Sequence, residues 1–591
     1  MEWKTENGAN VDRALSNEVR RTDESRASSK LLKRIKYGNA KPNRTDDWEL
    51  ILPSLDTHWL FEVVFDYGDH DPVAPKHDDD SQLSWAVRKD PFSIYTPGFE
   101  IRTYRLCRRI LMFHNMSELG QGSTLISSLD LEYNETPSIS YLTRATRVGY
   151  KVGDEGNIFQ KRCPPIEFEY TQVPGVEQLQ NLMLKSLDSD SMRQLPIGSV
   201  GDYRWIDLYG DGTTGVLSQG QDAWYYRRNL SIVAEESVSG GGDTKQSEAR
   251  VHAKLGPPME LPVRPYINIE DASTTSSLVD LNGDGLIDLM VASGSIHGFY
   301  RGSHDPTSGA YVWKPFEPFH TWPNFNLQDA NLGMIDLTGN GLADILITLD
   351  DRLVWYESCG LHGYGPPHEL ALSLNEERGP RVLLSDSTHS IMLADMSGDG
   401  LVDIVRVRNS EICYWPNLGY GRFGEKVAMD NSPVFDSDES YDHKRLLLCD
   451  VDGSGLNDIL YFHSSSATLF NNEAGNRWSD GIVLRSAIPT FDTLTRVSAA
   501  DILGTGTTCL VYSNVGPAVD FDSTRSLQYV DLMNGIKPHL LANWKDNRGS
   551  TTTIDYRPST QYYLRDEEEG APWVTRPVSY THLTLPTNRE V

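Results

Sequence analysis

Three short strings in the middle of this 591-residue chain carry oxygen ligands at a spacing suited to a hard cation. They read DLNGDGLID, DMSGDGLVD and DVDGSGLND. The first offers Asp280, Asn282, Asp284 and Asp288. The second offers Asp395, Ser397, Asp399 and Asp403, and the third Asp450, Asp452, Ser454 and Asp458. Such oxygens converge when the chain curls tightly, and the glycines between them permit the positive φ that the curl needs. Calcium is the cofactor these loops would hold, with the last aspartate in the part that the final glutamate plays in an EF-hand. The same residues also hydrogen-bond their own turn, so a metal-free reading stands beside the ionic one. Either way the role reads as structural, since a caged ion in a turn is not an open catalytic site.

The three strings belong to a longer series. DLYGDGTTG starts at Asp207, DLTGNGLAD at Asp336 and DILGTGTTC at Asp501. These copies have fewer carboxylates, and the Asp207 and Asp501 loops read as metal-free. The six starts recur at intervals of about 50–75 residues, the mark of an array of like units. An apolar run precedes each loop, and a short β-branched strand follows. About 19 residues past the first aspartate comes a large apolar residue: Tyr225, Phe299, Trp355, Tyr414 or Leu469. This aromatic row reads as blade core. Each unit is thus strand, tight turn, strand, turn, aromatic strand. The pattern predicts an all-β fold with a β-propeller of six blades, or five with a closing segment.

Composition narrows the rest. The net charge of −29 argues against nucleic acid as a partner, because a phosphate backbone calls for a basic stripe. Six scattered cysteines form no CxxC pair, so neither a zinc site nor a disulfide framework is indicated; Cys449 and Cys509 read as buried thiols. No apolar stretch reaches the ~18–20 residues of a membrane helix, so no direct membrane span is expected. The opening MEWKTENGANVDR lacks the apolar core of a Sec signal, which predicts a cytoplasmic protein exported to the outside by a non-Sec route.

Enzyme signatures are missing. There is no G-x-S-x-G, Walker A, H-E-x-x-H or dinucleotide fingerprint, and the 15 histidines show no metal-ligand spacing. The reading is a non-enzymatic protein with no catalytic residues.

Along the chain, 1–32 is polar and without period and reads as a disordered lead-in. Residues 33–194 carry non-repetitive strands such as WLFEVVFDYG, and FEIRTYRLCRRILMF, the latter strand or part helix. An exposed DDD loop lies at Asp78–Asp80. The propeller spans 195–530, with a flexible Gly/Ser-rich insertion at Glu236–Glu248. A further β region occupies 531–576, with DEEEG at Asp566–Gly570 as an acidic turn. The tail 577–591 lacks the texture of the rest and reads as a sequencing artefact.

The strings KRIKYGN (Lys33–Asn39), WLFEVVFDYGDHD (Trp59–Asp71), DPFSIYTPGFEIRTYRLCRRILMFH (Asp90–His114) and LDLEY (Leu129–Tyr133) resemble the SpvB-like, TcB-type proteins of insecticidal Tc toxin complexes. The repeats resemble that family's FG-GAP/VCBS repeats. NWKDNRGSTTTIDYRPSTQYYLRD (Asn543–Asp566) is similar to the region after its propeller. The resemblance covers about residues 33–576 and makes 33–194 an SpvB-like region. It implies a toxin-delivery part. A TcC-like partner of YD/RHS repeats would close a hollow shell around toxic cargo, and the propeller would dock a TcA-like pore-forming component and gate translocation. The chain departs from the pattern near Arg576 and shows no YD repeats, no self-cleaving aspartyl segment and no ADP-ribosyltransferase-like region. Two other classes remain: a calcium-dependent adhesin of integrin type, and an enzyme with its site in the propeller funnel.

Overall fold

The structure is a computed structural model. It describes residues 1–571 and 573, except 43, 51–57, 79–82, 120–121, 154–157, 188, 193–202, 220–222, 233–251, 263–274, 294, 306–308, 387, 389, 438, 486–490, 492–494 and 514–526. The expected flexible insertion, most of the DDD run and the atypical tail lie outside the described residues. The chain divides into two compact units. One holds Met1–Thr171 with Leu540–Asp555, the other Gln172–His539 with Tyr556–Val591.

The first unit is built on a ten-stranded sheet. Trp59–Asp66 alternates inward and outward residues and pairs with Arg109–His114, so FEIRTYRLCRRILMF is strand at both ends and not helix. Val64, Leu111, Phe113 and Leu125 bury one face. The sheet is completed from far along the chain. Leu541–Lys545 pairs with Ile166–Tyr170, and Thr551–Thr553 adds the edge.

The polar lead-in is ordered, contrary to the expectation of disorder. Glu2–Thr5 pairs with Lys30–Asn39, and Thr22 caps the short helix Asp23–Arg26 through a bond from the Ser25 N–H. Glu6, Glu18 and Arg26 are buried in ion pairs, while Asp12, Arg13 and Asp23 stay exposed. Glu6 takes Arg105 at 2.5 Å, and Glu18 takes Arg102 and Arg26, each at 2.9 Å. Arg105 and Arg102, which pair with Glu6 and Glu18, lie far along the sequence, so local composition could not reveal them; a buried charge needs such pairing.

The second unit is a six-bladed propeller. Five blades each take four strands from one repeat. The sixth takes Arg496–Ala500, Cys509–Ser513 and Leu527–Asp531 from the worn repeat, and its edge strand, Lys185–Ser186, from before the first blade. The five-blade alternative is thereby replaced. Six buried apolar clusters each join two adjacent blades. One of them sets Val216 of blade one against Val511 and Tyr529 of blade six and closes the ring. Burial of such side chains is the main drive for ring closure, at roughly 25 cal/mol per Å² of apolar surface. Phe299, Trp355, Tyr414 and Leu469 are in these clusters as expected. In blade one the buried ring is Tyr226, while Tyr225 is half-buried, a slip of one residue that reverses faces on a strand. Cys509 is buried and Cys449 half-buried.

The region after the propeller is not wholly β. Ser559–Glu568 is a helix, so the DEEE of the expected acidic turn is its last turn, followed by Gly570 at φ 78°. Tyr563 and Leu564 of this helix pack on Ile232 of the propeller unit.

Candidate functional site

Each Asp–Gly loop is a frame of backbone bonds before it is anything else. The first aspartate caps its own turn. Asp280 accepts the Gly283 N–H on one oxygen and the Gly285 N–H on the other, both at 2.8 Å. Asp207, Asp336, Asp395 and Asp450 do the same with their own glycines. The paired glycines sit at positive φ in all six loops, for example 72° and 79° at Gly283 and Gly285. The middle residue caps the next turn. Asp284, Asn340 and Asp399 each take the N–H two residues on.

The last aspartate of the strong loops is a buried bracket. Asp288 takes the Leu281 N–H at 3.1 Å and the Gly302 N–H at 2.7 Å, tying the loop to the third strand. Asp344, Asp403 and Asp458 repeat both bonds in the same register. Burial pushes the Asp288 and Asp344 carboxyls up to about 6. It also raises Asp403 and Asp458 well above the usual carboxylate range, with neighbouring aspartates adding repulsion. One worn copy keeps the acceptor with another residue. In blade one Gly215 stands where the aspartate would, and the Tyr226 hydroxyl takes the Leu208 N–H. In blade six Cys509 stands in that place, and the Ile502 N–H donates to the Ala500 carbonyl at 3.0 Å.

The loops also lean on one another. A Cβ on Gly283 would lie 3.6 Å from Leu342 of the next loop. Gly210 meets Leu286, Gly339 meets Leu401, and Gly398 meets Leu456 in the same way. Gly504 of the last loop faces Thr213 of the first at 3.6 Å, so the six loops form one collar at one end of the ring. Loop-to-loop bonds reinforce it: Asn457 donates from backbone and side chain to the Asp395 carbonyl, and Thr508 donates to that of Asp450.

The expected ligand sets fare differently. Among the described residues, only Asp450, Asp452 and Asp458 bring three carboxylates to within 4.8 Å of one another. There His539 Nε2 lies 3.3 Å from Asp452. Burial would raise the Asp452 carboxyl, but the imidazole outweighs it and holds the group below the usual range. Burial and Asp452 push Asp450 up to about 6. Ser454 accepts the Leu456 N–H at 3.4 Å. In the Asp280 loop, Asn282 donates to Asp284, and Arg301 lies 3.3 Å from Asp284. In the Asp395 loop, Ser397 reaches Asp395 at 3.5 Å, and burial with Asp399 pushes Asp395 up to about 7. In blade one Arg228 sits on Asp211 at 2.8 Å and on Glu567 of the helix at 2.8 Å, a protein cation at the loop.

Sequence reasoning missed the collar, the bracket role of the last aspartate and the substitute Tyr226. The signal was present in part: leucine stands at the same place in four copies, Leu286, Leu342, Leu401 and Leu456.

Fold and sequence together make the chain similar to the SpvB-like, TcB-type proteins of Tc toxin complexes. A family described as Salmonella virulence plasmid 65kDa B protein matches residues 1–116, and the Insecticide toxin TcdB middle/N-terminal region matches 474–583. The particular proteins it is similar to are as follows. The mono(ADP-ribosyl)transferase SpvB of Salmonella typhimurium is 44% identical over 153 residues, 25% of each protein. A chain of the Photorhabdus luminescens Tc holotoxin pore superposes with a TM-score of 0.77 at 27% identity, over 96% of this chain and 24% of that one. A chain of the TcdB2-TccC3 complex gives 0.64 at 26%, over 98% and 26%. The matched stretches thus span about a quarter of these relatives' lengths. Among the described residues, no helix is long and apolar enough to cross a membrane.

Proposed function

We propose that the chain is a non-enzymatic part of a Tc-type toxin-delivery complex. Its propeller docks a TcA-like pore-forming component and gates passage of cargo. Its first unit begins a shell that a TcC-like YD/RHS-repeat partner closes. The observation that carries this reading is the superposition of 96% of the chain on a chain of a Tc holotoxin pore. A six-bladed ring with a rigid loop collar supports it, since a docking face needs a surface pre-organised by its own bonds. The transferase activity named for SpvB is not carried over, because the shared stretch is 25% of that protein. The complex would act outside the producing cell. The adhesin reading is not favoured by these relatives.

Calcium belongs to this proposal as a structural ion of the Asp450 loop. Asp450, Asp452 and Asp458 offer the hard oxygens it prefers, and a cation there would offset the repulsion among three half-buried or buried carboxylates. In the Asp280 and Asp395 loops the backbone frame serves without one.

Co-elution tests the docking. The purified chain, mixed with a TcA-type pore-forming protein, is expected to shift to the larger species on size exclusion with light scattering. Separate elution at micromolar concentrations would contradict it.

A further inference from the structure

Two histidines meet at the seam between blades two and three. His320 follows the strand Tyr311–Pro318 of blade two, and His362 ends the short turn Gly360–His362 of blade three. Their Nδ1 atoms are 2.9 Å apart, and the rings stack at 5.1 Å and 27°. Both side chains are exposed. The backbone places them. The Thr321 N–H donates to the His362 carbonyl at 3.0 Å, the Thr321 hydroxyl donates to it at 3.1 Å, and the Tyr364 N–H donates to the Thr321 carbonyl at 3.2 Å. Gly363 turns at φ 103°, and a Cβ there would run into the Thr321 carbonyl oxygen. Beside the pair, Trp322 stacks on Phe319 and on His297.

The same stitch joins blades four and five without histidine. There the Asp430 N–H donates to the Asn476 carbonyl and the Trp478 N–H to that of Asp430. The places of His320 and His362 are taken by Met429 and Asn476. The stitch therefore does not need imidazoles, and the pair is an addition to it.

We propose that His320 and His362 chelate a divalent transition ion of the zinc class, bridging blades two and three. Imidazole nitrogens are borderline donors that suit zinc, nickel and copper and not calcium. With metal–nitrogen bonds of about 2.0–2.1 Å, two ligands at a tetrahedral angle stand roughly 3.3 Å apart. The rings need part by a few tenths of an ångström and turn so that each Nδ1 lone pair aims at the ion. Each binds as a neutral imidazole with its proton on Nε2, so the proton that joins the two Nδ1 atoms without metal moves to the Nε2 of the ring that carries it. The remaining coordination positions face solvent and can take water. The site is chemically separate from the Asp450 loop and independent of the docking proposal.

The test is equilibrium dialysis of Zn²⁺ against the full chain and the variants H320A, H362A and H58A, the last an exposed histidine of the other unit. The chain and H58A are expected to hold a saturable zinc equivalent, undiminished by millimolar calcium. H320A and H362A are each expected to lose about tenfold or more of its affinity, since even partners of metal ligands act on that scale. Zinc is also expected to raise the melting temperature of the chain but not of these two variants. No saturable zinc, or a loss in neither or only one of the two variants, would overturn the chelate.

Discussion

The Tyr226 hydroxyl receives the Leu208 N–H at 3.4 Å in blade one, the bond that Asp288 makes with Leu281 at 3.1 Å in blade two. The hydroxyl fills the space that Gly215 leaves empty and passes its own proton to the Ile206 carbonyl at 3.1 Å. A repeat that looks degraded in sequence is thus mended by a side chain from the next strand. Y226F would strip a buried N–H and a carbonyl of their partner. The expected loss is about 1–3 kcal/mol, read by urea unfolding at constant slope. An unchanged midpoint would show that the hydroxyl is not part of the frame.

Asp403 is a fully enclosed bracket, with both oxygens engaged and no exposed surface. D403A would orphan the Met396 and Asn417 N–H groups, each at about 1–3 kcal/mol, for a total of about 2–5 kcal/mol. D284A, on an exposed carboxylate, is expected to cost below about 1 kcal/mol. Equal effects in the two variants would contradict the division between bracket and rim.

The period, the loop composition and the aromatic strand made the propeller legible, because a repeated unit displays its core positions several times over. The bracket was harder to see. An aspartate that binds an ion and one that binds two amides look alike in a string, and only the distance to residues such as Gly302, 14 places on, separates them. The blade count rested on Lys185–Ser186, two residues with no repeat signature that complete blade six through pairing. The ordered lead-in was hidden for another reason. Glu6 and Arg105 look like solvated charges until the fold brings them together.

Acid should affect the two units in opposite senses. In the first, burial would raise Glu18, Asp69 and Glu100, but their cationic partners outweigh it. All three lie below the usual carboxylate range, Glu100 at about 2. Their stabilisation is present above the unfolded value of about 4 and is lost as pH falls toward 2. In the propeller, Asp344 is raised by burial to about 6. It favours its protonated form in the fold, so stability falls as pH rises from about 4 to about 6 and returns on acidification. Pulse-labelled hydrogen exchange after incubation at a series of pH values is expected to show the first unit opening below about pH 4 while the blades stay protected. Earlier opening of the blades would contradict the sign of these shifts.

Calcium binding at the Asp450 loop should appear as a melting temperature higher in calcium than in excess chelator, growing with the logarithm of free calcium. D452A is expected to abolish the difference and D284A to keep it. No shift in the unaltered chain would contradict calcium binding at that loop.

Docking by the propeller is the central claim, and single-particle imaging of the chain with a TcA-type pore-forming protein tests it most directly. The account predicts one six-bladed ring seated on one end of the pore protein. A complex held by the first unit, or particles of the two proteins that remain separate at concentrations where each is intact, would contradict it.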